Sequence, residues 1–206
     1  MLKLIFYFKL LIKLNMTTHN NVGYLKVIIG SMFSGKTTEL FREHRRYSSC
    51  GFECLLINHS SDKRYTDKEE TSSHDGFLVN SINIGDNLFD FFKQESYLSR
   101  YNVIFINEGQ FFEDLYKFVD FVVNQKNKRV YVCGLDGDFK RKKFGSILDI
   151  IPLADDVIKI KAICTECKNN DAIFTHRISK DNTTQTVIGG AEMYQPLCRF
   201  CYNKLN

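Results

Sequence analysis

Short apolar runs alternate along this chain with longer segments of helical period. YLKVIIG (24–30), FECLLIN (52–58), YNVIFIN (101–107) and RVYVCG (129–134) are short, mostly apolar runs of strand length. Between them lie a polar helical stretch from Lys36 to about Ser49 and two segments, NLFDFFKQESYL and FFEDLYKFVDFVVNQ, whose aromatics recur at spacings of three and four. Those spacings predict amphipathic helices with their phenylalanines in the core. Strand, helix and strand in alternation predict an α/β fold with a parallel sheet and crossover helices. Ser60 to Asp75 is polar and aperiodic and reads as a long loop, which in a compact domain is functional or mobile. From about Ala162 the pattern changes to paired cysteines, short strands and Gly189-Gly190, the mark of a small annex.

A length of 206 residues allows one substantial core and a modest appendage. The composition, 44% hydrophobic and 25% charged, excludes disordered and fibrous classes. A net charge of +4 is mild, and the basic residues are scattered apart from Lys140, Arg141, Lys142 and Lys143, so charge alone calls for no nucleic-acid partner. The opening MLKLIFYFKLLIKLN is apolar but broken by Lys3, Lys9 and Lys13. Its longest uncharged run is too short for a span of about 20 residues or a signal core, so no membrane partner is expected and it reads as an extension, with an amphipathic surface helix the alternative. Seven cysteines, an odd number with four in Cys-x-x-Cys pairs, favour a metal site over disulfides and a reducing, cytoplasmic setting. The expected organisation is an extension over 1–22, an α/β domain over 23–161 and a cysteine-bearing annex over 162–206.

The chemistry concentrates in three places. GSMFSGKT, Gly30 to Thr37, fits the phosphate-loop pattern G-x-x-x-x-G-K-[ST] and sits where that motif works, after a strand and opening a helix. Its glycines admit phosphate oxygens to backbone N–H groups, the helix end adds partial positive charge, Lys36 can reach the β and γ oxygens and Thr37 can ligate magnesium. Glu108 stands where VIFIN ends, read as the tip of a strand neighbouring the one that feeds the phosphate loop; alone it is a solvated strand end, but there it could take a proton from an attacking hydroxyl. Cys164, Cys167, Cys198 and Cys201 form two C-x2-C pairs separated by 30 residues. Four thiolates leave no open position, so they read as structural zinc, with free thiols the alternative because the interval exceeds the usual 15 to 20 or so. Cys50, Cys54 and Cys133 read as buried fillers, and His44, His59 and His74 show no ligand spacing.

These residues bring the chain to a family. GSMFSGKT, DKRY (62–65), NEGQFF (107–112), GLDGDFKRKKFGSI (134–147), both cysteine pairs and VIGGAEMY (187–194), in this order, resemble the type II thymidine kinases of the cytosol and of large DNA viruses. The resemblance runs from about Gly23 to Tyr202, and Gly109 lies closer to the poxviral branch. It implies a P-loop NTPase core with a C-terminal zinc-binding lasso, and transfer of the γ-phosphate of ATP to the 5'-hydroxyl of thymidine or deoxyuridine. It implies that Gly30, Ser31, Met32, Phe33, Ser34, Gly35, Lys36, Thr37 and Thr38 hold ATP, with Asp62 and Asn107 near the Mg2+. Glu108 matches the general base, and Arg64 would neutralise charge on the transferred group. Met32, Phe111, Leu135, Phe139, Phe144, Thr175, Val187, Gly189 and Tyr194 would line the nucleoside pocket. Family members are typically tetramers inhibited by dTTP, which is the expectation here.

The rival from another class is a nucleic-acid-stimulated P-loop ATPase with a zinc ribbon, gripping phosphates through Lys140 to Lys143. It predicts a basic or aromatic stripe continuing into the annex, whereas Ala162 to Asn206 is mixed in charge. Two residues depart from the family pattern: Ser31 where Pro is usual and Asn107 where Asp is usual. Asn keeps an oxygen acceptor but lacks the charge. Asn107→Asp is therefore expected to lower the magnesium concentration needed for half-maximal rate; an unchanged requirement would remove residue 107 from the metal shell.

Overall fold

The computed structural model describes residues 22–61, 70–72, 78–92, 98–178, 184–185, 187 and 189–205. Its centre is a sheet of six parallel strands: β1 (Tyr24–Gly30), β2 (Cys54–His59), β5 (Ile82–Ile84), β6 (Val103–Ile106), β7 (Arg129–Leu135) and β8 (Asp156–Ile160). The spatial order is β5-β2-β6-β7-β1-β8. β3 (Glu70–Ser72) and β4 (Leu78–Asn80) make a separate antiparallel pair.

The continuous apolar runs are explained by burial on both faces. Leu25, Val27 and Ile29 of β1 point to one side, into a core that includes Phe118, Val119, Val122, Ile147 and Ile150. Ile28 points to the other, where Leu40 and Phe41 of α1 (Lys36–Ser48) pack on Phe105 and Tyr131. The first of these cores is closed by α2 (Leu88–Phe91) and α3 (Leu115–Asp120), the latter extended by a π turn over Phe121–Gln125. The Asp114 carboxylate accepts the Leu88 and Phe89 amides at 2.8 and 2.9 Å, satisfying donors that the start of α2 would otherwise leave open.

The annex holds two small antiparallel pairs, β9 (Ala162–Ile163) with β10 (Asp171–Ala172) and β11 (Phe174–Arg177) with β12 (Tyr194–Leu197), then α4 (Arg199–Leu205). Its core is made of Ala162, Ala172, Leu197, Tyr202 and three of the paired cysteines. The Tyr202 hydroxyl donates to the Phe139 carbonyl, and the Thr175 hydroxyl accepts the Met32 amide at 3.0 Å. The annex is thus tied to the loops at the carboxyl edge of the sheet.

The expected parallel α/β sheet is present, with several local differences. Part of the supposed irregular stretch, Glu70–Ser72, is a strand. Helix α3 starts at Leu115 rather than at the first Phe of FFEDLYKF, because Gly109–Phe111 turns as a 3-10 helix. The short strand β5 and the edge strand β8, which alternates between half-buried and exposed, have too little apolar run to stand out. Cys133 is buried, but Cys54 is half-buried and Cys50 exposed at the end of α1, against the expectation of three fillers. Asp62, Arg64 and the extension up to residue 21 lie outside the described residues. Among the described residues no helix is long and apolar enough to cross a membrane.

Phe118 is fully buried, with Phe92 at 5.2 Å and Phe89 at 5.4 Å between ring centres. Phe118→Ala is expected to cost about 3–5 kcal/mol, read as a lower urea midpoint at unchanged slope.

Candidate active site

The loop between β1 and α1 is shaped for phosphate. Phe33 and Gly35 have φ of 61° and 85°, so left-handed residues alternate with ordinary ones and turn successive N–H groups inward. Nothing lies within 4 Å of a Cβ built at Gly35, so the dihedral, not space, calls for glycine there. Lys36 is only 8% exposed, and its ammonium donates to the Ser31 carbonyl at 2.7 Å, lying along the loop. The Ser34 hydroxyl is buried with no hydrogen-bond partner among the described residues, a donor that a phosphate oxygen would satisfy. Thr38 lies further out, on a surface hollow shared with Phe33, Gly35 and Arg42.

Sequence reasoning placed Glu108 on a strand neighbouring β1; the structure corrects this. β7 intervenes, pairing Val103–Ile106 on one side and all of β1 on the other. Register brings the groups together nonetheless. Ile106 lies opposite Val132 and Gly30 opposite Leu135, so β7 outruns β6 and the residues after Ile106 lie level with Cys133 and Gly134. The Asn107 oxygen accepts the Thr37 hydroxyl at 3.3 Å and the Cys133 thiol at 3.0 Å. Its amide donates to Asn58 at 2.9 Å, which fixes the oxygen toward Thr37. Glu108 is 9% exposed with a left-handed φ of 54°, and its Oε2 accepts the Gln110 side-chain amide at 2.6 Å.

Two cavities meet at Glu108. One is bounded by Lys36, Thr37, Asn107, Cys133 and Gly134. The other is bounded by all nine residues expected around a nucleoside. Met32, Glu108 and Leu135 face both. The second cavity has aromatic walls, Phe111 meeting Phe144 edge to face at 5.6 Å, and it also takes in Ser61, Gln110, Asp138 and Gln185.

Several contributors were invisible in the sequence. Arg177, 4% exposed, donates to the carbonyls of Thr184 and Gln185 at 2.7 and 2.9 Å and to the Tyr194 hydroxyl at 3.0 Å, with its guanidinium 3.8 Å from the Phe139 ring centre. Tyr194 donates onward to the Val187 carbonyl at 2.6 Å, and the Gln185 amide donates to Asp138 at 2.8 Å. A single Arg in a four-residue strand has no pattern by which to find it. His59, also passed over, bonds Asp86 at 3.1 Å and accepts the Ser61 amide at 3.2 Å.

The sulfurs of Cys164, Cys167, Cys198 and Cys201 lie within 4.8 Å of one another, a donor set that could hold a metal ion. Backbone N–H groups of Asn169 and Asn170 bring the Cys167 thiol down to about 6, toward the metal-binding thiolate, whereas burial pushes Cys201 up to about 12.

A phosphate loop, a buried carboxylate across one strand from it and an aromatic slot beyond make the chain a phosphotransferase of the P-loop class acting on a small flat acceptor. Comparison with known proteins narrows the class. The family described as Thymidine kinase matches residues 23–202. The chain is 40% identical over 190 residues to the thymidine kinase of Yaba monkey tumor virus, covering 89% of this chain and 97% of that protein. It is also 40% identical over 185 residues to the cytosolic thymidine kinase of Bos taurus (88% and 73%) and 39% over 183 residues to that of variola virus (88% and 98%). The chain belongs to the thymidine kinase family; identity does not separate the viral from the animal branch.

Arg177→Met removes three charge-assisted bonds on the nucleoside side alone. It is expected to raise the KM for thymidine by about tenfold or more while the KM for ATP stays within about twofold, measured by steady-state kinetics with each substrate varied.

Proposed function

We propose that the chain transfers the γ-phosphoryl group of ATP to the 5'-hydroxyl of thymidine, and of deoxyuridine, yielding dTMP for nucleoside salvage in the cytoplasm. The observation that carries this reading is that Glu108 faces both cavities, so an acceptor in one and a triphosphate in the other meet at a carboxylate. Thymidine would lie in the aromatic slot with its sugar toward Glu108. ATP would lie along the loop of Gly30 to Thr38 with its γ-phosphate toward the same point. Glu108 would accept the proton of the 5'-hydroxyl as its oxygen attacks phosphorus in line, and ADP would leave held by Lys36 and the loop amides. Mg2+ would be held by Thr37, with Asn107 and Asp62 beside it, and would neutralise phosphate charge.

The remaining parts support these two. Arg64 and the loop around it would close on the transferred group and keep water, the competing acceptor, away. Zn2+ on the four cysteines would pin the ends of the segment that carries Thr175, Val187, Gly189 and Tyr194, an annex too small to hold its shape by apolar burial alone. On this reading 1–22 is an extension, 23–161 the kinase domain and 162–206 the zinc-binding lasso domain. The working form would be a homotetramer inhibited by dTTP, with neither nucleic acid nor membrane as partner.

The ATPase reading is disfavoured by where the basic cluster goes. Arg141 bonds Asn203 at 3.0 Å and lies 4.7 Å from the Tyr202 ring centre, Lys143 pairs with Asp149, and Lys140 lies over Phe139 at 5.3 Å. Incubation with ATP, magnesium and a panel of nucleosides distinguishes the two: thymidine monophosphate is expected, and hydrolysis that rises only with added DNA would overturn the proposal. Glu108→Gln is expected to lower kcat by about 10²–10⁴ while thymidine binding and one zinc per chain are retained.

A further inference from the structure

Gln110 is buried, 3% exposed, and its side chain is bonded at both ends. Its Oε1 accepts the Leu135 backbone amide at 3.0 Å, and its Nε2 donates to Glu108 Oε2 at 2.6 Å. Since a backbone N–H claims the oxygen, the amide's NH2 end has to face Glu108, so the orientation is set by chemistry. The surroundings are cleared for this side chain. A Cβ at Gly134 would strike the Gln110 Oε1, and one at Gly145, where φ is 58°, would strike its backbone carbonyl.

We propose that Gln110 is the positioning residue of the reaction's base: it ties the Glu108 carboxylate to the backbone of β7 and aims it at the acceptor hydroxyl. The inference rests on Glu108 being that base. An N–H donated to one carboxylate oxygen restricts the rotation of the group. Glu108 itself sits at a left-handed φ of 54°, uncommon for a residue with a Cβ, so its backbone too is held in one defined turn.

The test is the split between kcat and KM for thymidine in Gln110→Met, which keeps the bulk and removes the amide. The expected result is a kcat about tenfold lower with KM within about threefold. In the Glu108→Gln background the same change is expected to leave the residual kcat within about twofold, because the group it positions is gone. An unchanged kcat in Gln110→Met, a raised KM with kcat intact, or a further tenfold fall in the Glu108→Gln background would overturn the proposal. Should Gln110→Met fail to fold, Gln110→Glu, which keeps an oxygen for the Leu135 amide and removes the donor to Glu108, supplies the reading: kcat is expected to fall as far, and full kcat would overturn the proposal. Full activity in Glu108→Gln would sink the base assignment itself, an outcome distinct from failure at Gln110.

Discussion

Everything at this site depends on reaching across one β-strand. Adjacent strands lie about 4.8 Å apart, so β1, which feeds the phosphate loop, and β6, which feeds Glu108, are separated by about 10 Å with β7 between them. That gap suits a reaction with a phosphoryl group in the middle, provided the intervening strand stays out of the way. β7 does so by presenting Gly134 where the groups converge; a methyl group there would collide with Gln110 and sit 2.8 Å from Ile147. The same strand contributes a donor, the Leu135 amide, to Gln110. β7 is thus both the spacer and the mount for the machinery.

The nucleoside side rests on a different kind of support. Its walls come from three places distant in sequence, the phosphate loop, the ends of β6 and β7, and the annex, and polar ties hold them together. Thr175 takes the Met32 amide, Tyr202 reaches the Phe139 carbonyl, and Arg177 gathers Thr184, Gln185 and Tyr194 against Phe139. A buried guanidinium is costly unless its donors are matched. The carbonyls of Thr184 and Gln185 and the Tyr194 hydroxyl accept from its two terminal nitrogens, which fixes the annex segment against the slot.

Much of this was legible in the chain. The doubly buried strands announced themselves as apolar runs because residues such as Leu25 and Ile28 serve opposite cores. GSMFSGKT carried its chemistry in its spacing, and the two cysteine pairs converge as their motif implies. Sheet order was not legible: nothing local to VIFIN or YLKVIIG says that RVYVCG will insert between them, so Glu108 was placed one strand too near. Nor were the ties of Arg177, Gln110 and His59, since each is a single polar residue whose partners are brought by tertiary packing. For Phe139 and Phe144 the periodic reading alone would have said core. Both are indeed buried, yet they wall a cavity, and only the motif around them indicated it.

The central claim is geometric: the acceptor's sugar hydroxyl lies at Glu108, between the two cavities. A crystal structure with thymidine, magnesium and a non-hydrolysable ATP analogue tests it most directly. The account requires the 5'-oxygen within about 2.6–3.2 Å of a Glu108 carboxylate oxygen and in line with the γ-phosphorus. A thymidine bound with its 5'-oxygen turned away from Glu108, or a γ-phosphate reaching the nucleoside by a route that bypasses Gly134, would contradict it.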